Sequence, residues 1–212
     1  MGAPELFHLD KQRFGANQPG LKADVANLSG DYTYLTSGYY ASLDAEQSGL
    51  TVLPTTAEAL DAYVVAIAME KAVLAGLAVP EYQIVTDRFP PPPMLAYPIN
   101  PFTLTGQLLL DDAAVEAHRK GLTYTGKYAV LAQTLPADYR LDVLRLVLGR
   151  SLIPQYEEYG AQLFELFRLP LMRVKVIVTP KEFQLSAIEP LPFGQLSQDE
   201  RQLLNGMGTW RA

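Results

Sequence analysis

The sequence predicts an α/β protein with a Rossmann-like β-α-β lobe at its N-terminal end and a second α+β lobe that contains an antiparallel hairpin. Over residues 24–54, a short apolar run, a helix-like segment and a second apolar run follow one another, which is the order of a strand, a helix and a parallel strand. Over residues 171–179, apolar and charged residues alternate, which is typical of a strand with one covered face. The 212 residues are 49% hydrophobic, so the chain can bury a core of this kind.

Composition and charge exclude several classes of function. The chain has no cysteine, which excludes thiolate catalysis, disulfides and cysteine-bound metal sites. Its 17 basic residues are scattered and are outnumbered by 23 acidic residues, so we expect no nucleic-acid partner. The longest apolar run, 62–69, is far shorter than the roughly 18 residues that suggest a membrane span, and residues 1–20 lack the apolar core of a signal peptide. We therefore expect a cytoplasmic protein without a membrane partner.

The β-α-β unit has clear boundaries in the sequence. Residues 25–28 form the first predicted strand, and a helix is predicted from Thr36 up to Gly49. Thr36 or Ser37 can cap the start of this helix, and a glycine is the usual residue just past a helix end. Residues 50–53 form the second predicted strand.

A second helix is predicted over residues 55–75. It begins with the capping-box pair Thr55 and Glu58 and ends at Gly76. Its middle is apolar nearly all round, which indicates burial against a sheet. We expect the short strand at residues 82–85 to join the sheet formed by the first two strands.

Residues 89–105 hold six of the 16 prolines, four of them consecutive. Such a run favours an extended polyproline conformation, and the apolar residues between the prolines suggest that it crosses the surface of the body. The segment therefore marks a boundary between two lobes. The predicted division is an N-terminal arm at 1–22, a Rossmann-like lobe at 23–88, the proline-rich crossing segment at 89–105 and an α+β lobe at 106–212.

The second lobe alternates helices and strands. Residues 140–148 suit either a strand or a helix, and we favour a strand because Pro136 and Asp138 suggest a hairpin loop before it. The other predicted elements are a helix at 112–120, a strand at 128–133, a helix between Pro154 and Pro170, a hairpin of 171–179 with 183–188, and a last helix from the capping-box pair Ser197 and Glu200 to Gly206.

The strongest candidate ligand site lies where the first strand meets the first helix. Open α/β sheets bind ligands at the carboxyl ends of their strands, and a helix N-terminus favours carboxylates and phosphates. Thr36, Ser37 and Gly38 lie at that position, and Tyr34 and Tyr39 can line a ligand pocket there. An ordinary helix cap with a glycine for close packing is the simpler explanation of Thr36–Gly38, because every helix needs a cap. Packing on the sheet is also the simpler reading for the four tyrosines between residues 32 and 40, namely Tyr32, Tyr34, Tyr39 and Tyr40.

Other charged residues are weaker candidates. The pairs Asp111-Asp112 and Glu157-Glu158 do not predict a metal site, since adjacent carboxylates on a helix point apart, and Asp111-Asp112 suits a helix start. His8 and His118 are isolated, which argues against a zinc site. Four arginines could bind an acidic ligand, but pairing with Glu157, Glu158 and Glu165 is favoured. These arginines are Arg145, Arg150, Arg168 and Arg173.

Three stretches together resemble one family. They are residues 31–43, with YLTSGYYASL at the centre, residues 160–176, with LFELFRLPLMRVKV, and residues 183–200, with LSAIEPLPFGQLSQDE. They are similar to the N-terminal domain that precedes the catalytic half of RimK-like ATP-grasp ligases, and the resemblance runs from about residue 25 to residue 204. Those enzymes join a carboxylate to an amine through an acyl-phosphate made from ATP, often on peptide substrates.

The resemblance implies a role in ligation without catalytic residues in this chain. ATP and magnesium are expected only in a partner ATP-grasp domain or protein, because the phosphate-binding lysines, the glycine-rich flap and the magnesium-binding carboxylates of the ligase half are absent from the sequence. The implied function is an accessory or substrate-recognition domain that presents a peptide or small acid, or docks the ligase. Two alternatives stay open: a small-ligand (nucleotide, amino acid or peptide) binding or sensing module with its site at 36–40, and a structural unit that forms a homodimer through the hairpin at 171–188.

Overall fold

The computed structural model of the chain describes residues 6–9, 23–100 and 103–210. The strands are β1 Leu6–Leu9, β2 Val25–Asn27, β3 Val52–Leu53, β4 Tyr82–Val85, β5 Met94–Pro98, β6 Gln107–Leu109, β7 Val130–Thr134, β8 Arg140–Val147, β9 Leu171–Val178, β10 Phe183–Pro190 and β11 Gly208–Trp210. The helices are α1 Ser37–Gln47, α2 Thr56–Tyr63, α3 Val65–Leu74, α4 Asp112–Leu122, α5 Glu157–Phe167 and α6 Gln198–Asn205, with short 3₁₀ turns at Pro154–Tyr156 and Phe193–Gln195.

The chain divides into two compact units, each assembled from separate stretches. Unit 1 consists of Met1–Leu60, Leu144–Arg173 and Pro190–Ala212, and unit 2 consists of Asp61–Val143 and Val174–Glu189. The division into consecutive segments stays a prediction. Within the predicted arm at 1–22, β1 is a strand of a sheet rather than a loose end, and the remainder of the arm lies outside the described residues.

Unit 1 contains the predicted β-α-β unit. Its four-stranded sheet has the order β11-β1-β2-β3. β2 and β3 are parallel, with Val25 opposite Val52, and α1 connects them. β1 pairs antiparallel with both β2 and β11. Val25 and Val52 pack with Ala45 of α1 in a small core, so the helix covers the sheet as the sequence pattern predicts.

The predicted signals at the ends of the first and last helices are present. Thr36 is the N-cap of α1, and Gly49, just past its end, has a φ of +77°, a conformation that glycine adopts at little cost. In α6, Ser197 accepts a hydrogen bond from the Glu200 amide while the Glu200 carboxylate accepts one from the Ser197 amide. This capping box confirms the predicted start of the last helix.

The prediction of a single helix over residues 55–75 is wrong, because the segment forms two helices. The capping box at its start is confirmed: the Glu58 carboxylate accepts from the Thr55 amide at 2.8 Å. The helix then breaks at Val64, which has an extended backbone (φ −81°, ψ 97°), between the buried Tyr63 and Val65. Residues 63–65 are aromatic and β-branched, and such residues weaken a helix. The prediction that this region is buried holds for one side of α3.

Unit 2 is built on an antiparallel sheet with the order β4-β7-β5-β6. One face carries a core of Met94, Ala96, Leu109, Val130 and Ala132, which packs with Leu122 of α4. β4 pairs with β7, with Tyr82 opposite Gln133. The prediction that this strand joins the sheet of β2 and β3 was therefore wrong. It assumed that the β-α-β order continued, although a helical pattern does not specify which edge the next strand joins.

On the other face of this sheet, three buried polar side chains form a closed network. The Gln133 amide donates to the Ser186 carbonyl at 2.7 Å, and the Ser186 hydroxyl donates to the Gln133 Oε1 at 2.6 Å. The Tyr97 hydroxyl lies 2.8 Å from the Ser186 hydroxyl. All three side chains are buried, so the network links β5, β7 and β10 inside unit 2.

The proline-rich segment differs most from its prediction. All five residues of Met94–Pro98 are buried, and β5 lies in the middle of its sheet between β7 and β6. The segment is therefore a central strand, not a surface crossing in a polyproline conformation. The four consecutive prolines precede the strand, and Pro98 is its last residue, so the prolines stand where a missing backbone donor costs little. Residues 101 and 102 lie outside the described residues.

The third sheet has the order β10-β9-β8 and confirms the hairpin and the strand at 140–148. The turn between β9 and β10 is closed by the Thr179 amide, which donates to the Glu182 carbonyl at 3.0 Å. Met172, Val174 and Val176 are fully buried, as the alternation predicts. The prediction that Pro136 and Asp138 lie in a hairpin loop was wrong, because β7 and β8 belong to different sheets. With this sheet, the α/β class is confirmed.

Candidate functional site

A buried asparagine organises the junction between β2 and α1. The Asn27 amide donates to the Gly38 carbonyl at 2.7 Å and to the Ser42 hydroxyl at 3.0 Å, and its Oδ1 accepts from the Ser29 amide at 3.1 Å. Asn27 has no exposed surface. Since a buried amide must satisfy its hydrogen bonds, Asn27 fixes the helix start relative to the strand end. Sequence reasoning missed this residue, although a polar side chain inside the apolar run at 25–28 was a usable signal.

The Thr36 hydroxyl makes hydrogen bonds within the loop and to the start of α1. Its hydroxyl accepts from the Tyr39 amide at 3.3 Å and lies within donating distance of the Thr33 carbonyl, at 2.7 Å, and of the Asp31 carbonyl, at 3.1 Å. The side chain is half-buried. The hydroxyl therefore acts as the helix cap, which was the simpler alternative for this residue.

Ser37 and Gly38 differ sharply in exposure. Ser37 is exposed, whereas Gly38 is buried. A Cβ atom on Gly38 would lie 2.1 Å from the Asp31 carbonyl oxygen and 2.2 Å from the Ser29 hydroxyl oxygen, so a side chain does not fit there. The Ser29 hydroxyl is buried and has no hydrogen-bond partner among the described residues, which leaves an unused polar atom beside the helix start. Sequence reasoning did not identify Ser29.

The four tyrosines separate into one core residue and three surface residues. Tyr32 is buried and donates its hydroxyl to the Asn27 carbonyl at 2.7 Å, and burial raises its pKa far above the ordinary value. Tyr39 packs edge-to-face on Tyr34 and Tyr40, with ring centroids 5.2 and 6.0 Å away. Tyr34 and Tyr40 are 39% and 47% exposed, so both can contact a ligand at the surface.

The start of α1 can bind a negatively charged group through its backbone amide donors. The first amides of a helix have no intrahelical acceptor and carry a positive partial charge. The Tyr39 amide donates to Thr36, whereas the Ser37 and Gly38 amides have no acceptor among the residues that the structure describes. The structure therefore brings Tyr34, Ser37, Gly38 and Tyr39 together at one helix end.

The other charged candidates have structural partners. Asp111 is the N-cap of α4 and accepts from the Ala114 amide at 2.7 Å. Glu157 pairs with Arg150, as predicted, and accepts from the Ser151 amide at 3.0 Å. The partners of Arg145 and Arg168 differ from the prediction, because their pairing is set by tertiary contacts. Arg145 binds Glu200 through two contacts of 2.7 and 2.8 Å, and Arg168 lies 3.7 Å from Glu58.

A magnesium–nucleotide site uses one or two carboxylates together with the phosphates of the nucleotide. Within the described ranges, no three His, Asp or Glu side chains are grouped so that they could hold a metal ion. In the same part of the chain, each helix is too short or too polar to cross a bilayer.

Comparison with known proteins identifies relatives at the level of family and fold. The family described as RimK-like ATP-grasp N-terminal domain matches residues 9–81 and 109–206. No curated protein sequence matches the chain. A solved RimK domain ATP-grasp protein from Sphaerobacter thermophilus is 15% identical with a TM-score of 0.57, over 79% of this chain and 73% of that chain.

Two further solved structures are ligases of the D-alanine–D-alanine type. The enzyme from Helicobacter pylori is 15% identical with a TM-score of 0.59, over 78% of this chain and 64% of that chain. The ATP complex of the enzyme from Bacillus anthracis is 9% identical with a TM-score of 0.57, over 78% of this chain and 69% of that chain. At these identities, the likeness shows a shared fold alone.

Proposed function

Because the chain belongs to the RimK-like ATP-grasp N-terminal domain family, we propose that it is an accessory or substrate-recognition domain of an ATP-dependent carboxylate–amine ligase and does not catalyse ligation alone. The family match over residues 9–81 and 109–206 is the observation that carries this proposal. The ligase partner, a cytoplasmic location and peptide substrates belong to the proposal. ATP and magnesium would bind to the ligase partner.

The uses of the charged side chains support a non-catalytic role. Asp111 caps a helix, Glu157 holds Arg150 and a backbone amide, and Glu200 holds Arg145 and closes a capping box. Each of these three carboxylates has a structural partner, whereas activating a carboxylate with ATP requires carboxylates that bind magnesium together with the phosphates of the nucleotide.

The start of α1 is the part of the fold best suited to substrate recognition. Its Ser37 and Gly38 amides and the exposed Ser37 hydroxyl can donate to the carboxylate of a peptide or small acid. The buried Ser29 hydroxyl beside Gly38 offers a further polar contact if the loop adjusts on binding. Tyr34 and Tyr39 would contact the adjoining part of the substrate.

The test is ADP formation by a purified ATP-grasp ligase encoded beside this gene, measured with and without the chain. We expect the chain to raise the rate of ADP formation. The Ser37→Trp variant should raise this rate less, because its side chain obstructs the start of α1. A Ser48→Trp variant, placed at the opposite end of α1, is the matched control, because Ser48 is exposed and its hydroxyl donates to the Asp44 carbonyl of the same helix. A ligase rate that does not change when the chain is added contradicts the accessory role.

The second candidate function is a small-ligand binding or sensing module at the same helix end. The exposed aromatic rings of Tyr34 and Tyr40 on either side of Tyr39 favour it, because exposed aromatic groups are common in ligand sites. Isothermal titration with glutamate, alanine and ATP in the absence of any ligase distinguishes the two functions. Saturable binding that Ser37→Trp abolishes, together with no effect on the ligase, would establish the sensing function.

A further inference from the structure

The last turn of α4 and the loop that follows it in unit 2 present a basic and aromatic surface. We define the Lys120–Tyr128 surface by Arg119, Lys120, Tyr124, Lys127 and Tyr128. It carries three cations, whereas the whole chain has a net charge of -6. Arg119 pairs with Glu116 at 3.2 Å, but neither Lys120 nor Lys127 has a carboxylate partner among the residues that the structure describes.

Two other lysines of this unit are paired with carboxylates. Lys71 lies 2.9 Å from Asp61, and Lys175 lies 2.7 Å from Glu189. Lys127 instead lies over the ring of Tyr128, 5.3 Å from its centroid. A lysine held on an aromatic ring keeps its charge available to an anion in solution.

The backbone between the two lysines is held in a costly conformation. Tyr124, Thr125 and Gly126 all have positive φ, at +48°, +58° and +88°. The left-handed region costs roughly 1–2 kcal/mol for each residue other than glycine, and two consecutive residues of that kind are unusual. An ordinary helix end needs a single residue there. Backbone strain of this sort concentrates at binding sites.

Local hydrogen bonds keep this loop in one conformation. Every backbone amide from Thr123 to Tyr128 donates within the segment or to the last turn of α4; for example, the Thr125 amide donates to the Lys120 carbonyl at 2.7 Å. The Tyr124 ring packs edge-to-face on Tyr128, with centroids 5.5 Å apart. The Tyr124 hydroxyl is 2.9 Å from the Thr103 hydroxyl, and the residue is 46% exposed. The loop is therefore organised before any partner binds.

From these contacts we propose that the Lys120–Tyr128 surface binds an acidic peptide segment. Lys120 and Lys127 contact carboxylates, and the exposed part of Tyr124 packs against the intervening side chains. A peptide fits better than a nucleic acid, because a nucleic-acid site needs a long basic stripe and this surface carries only three cations. This surface is on α4 and the loop after it, so the inference does not rest on the proposed function of the α1 site.

The test measures fluorescence anisotropy of a labelled hexa-aspartate peptide titrated with the full chain, at low and at near-physiological ionic strength. We expect saturable binding that weakens with salt, since exposed charges are screened beyond about 8 Å at physiological ionic strength. The double variant Lys120→Gln/Lys127→Gln should weaken binding about tenfold. Tyr124→Ala should also weaken it, without changing the salt dependence.

The matched control is Lys181→Gln, which removes an exposed lysine from the turn between β9 and β10. This variant should bind the peptide as the unmodified chain does. Equal weakening by Lys181→Gln would show that only net charge matters and would overturn the proposal. Two other results would do the same: no saturable binding at low ionic strength, and tighter binding of an oligothymidylate of matched charge.

Discussion

At the scale of single residues, a few polar side chains fix the local structure, and the sequence identified only some of them. Thr36 and Ser197 were recognisable as caps, because a cap needs only its own neighbours. Asn27 and Ser29 were not, because their roles depend on the position of Gly38 eleven and nine residues away. The predicted site residues lie together, but the hydroxyl of Thr36 is already used as a cap.

The ion pair between Arg145 and Glu200 is the charged contact most open to test. The Glu200 side chain is only 6% exposed and binds the guanidinium through both carboxylate oxygens. Removing one member of a buried pair leaves the other charge uncompensated, so Arg145→Ala should lower the free energy of unfolding by about 3 kcal/mol. Urea denaturation measures this change. The control Arg140→Ala removes an exposed arginine from the same strand and should cost under about 0.5 kcal/mol; equal costs would contradict the account.

The same pair predicts how stability depends on acid. The hydrogen bonds and charge of the Arg145 guanidinium, together with the Ser197 cap, hold the pKa of Glu200 below its ordinary value. A carboxyl with a lowered folded-state pKa adds stability that is complete above the unfolded pKa of about 4.3 and is lost as the pH falls through the folded value. The unmodified chain should lose stability steeply below that pH, and Arg145→Ala less steeply. Melting temperatures across the acid range measure both, and superimposable profiles would disprove the coupling.

At the scale of elements, boundaries set by local signals were predicted better than strand partners. The capping boxes, the glycine after α1 and the alternation in β9 placed four elements correctly. The sheet joined by β4 was missed because its partner β7 is distant in the sequence. The break at Val64 was missed because the apolar run continues through it. The central position of β5 was missed because its flanking prolines dominated the pattern at 89–105.

Two glycines in helix interiors should respond in opposite ways to alanine. A Cβ on Gly121 in α4 meets nothing within 4 Å, so Gly121→Ala should stabilise the chain by about 0.5–1 kcal/mol through helix propensity. In α5, a Cβ on Gly160 would lie 2.6 Å from Leu146 and 2.9 Å from the Gly149 carbonyl oxygen. Gly160→Ala should therefore destabilise the chain by about 1–3 kcal/mol. Denaturant unfolding of both variants is the measurement, and changes of the same sign would be inconsistent with the packing of α5.

The buried network of Gln133 and Ser186 tests the packing of unit 2. Gln133→Leu leaves the Ser186 carbonyl without its side-chain donor, which should cost about 2–3 kcal/mol. Gln83→Leu, on the neighbouring strand β4, replaces an exposed glutamine and should change stability by less than about 0.5 kcal/mol. Both are measured by urea denaturation. If Gln133→Leu is as well tolerated as Gln83→Leu, the network contributes nothing to unit 2.

At the scale of the whole molecule, the chain combines a family fold with charged groups that serve structure. The α/β class was predictable because strand and helix patterns extend over most of the chain. The family was predictable from the resemblance of three stretches, at residues 31–43, 160–176 and 183–200. The composition of the two units was not predictable, since each is assembled from separated stretches and a sequence pattern shows only neighbours along the chain. The family match leaves out residues 82–108, which contain β4, β5 and the first two residues of β6.

Phosphate release from ATP by the purified chain, with and without magnesium, tests the central claim most directly. Because we propose that ATP and magnesium bind to a ligase partner, we predict release no faster than that of a heat-denatured sample. Circular dichroism of the same preparation confirms that the chain is folded. Robust magnesium-dependent release from the folded chain, in the absence of any ligase, would contradict the account.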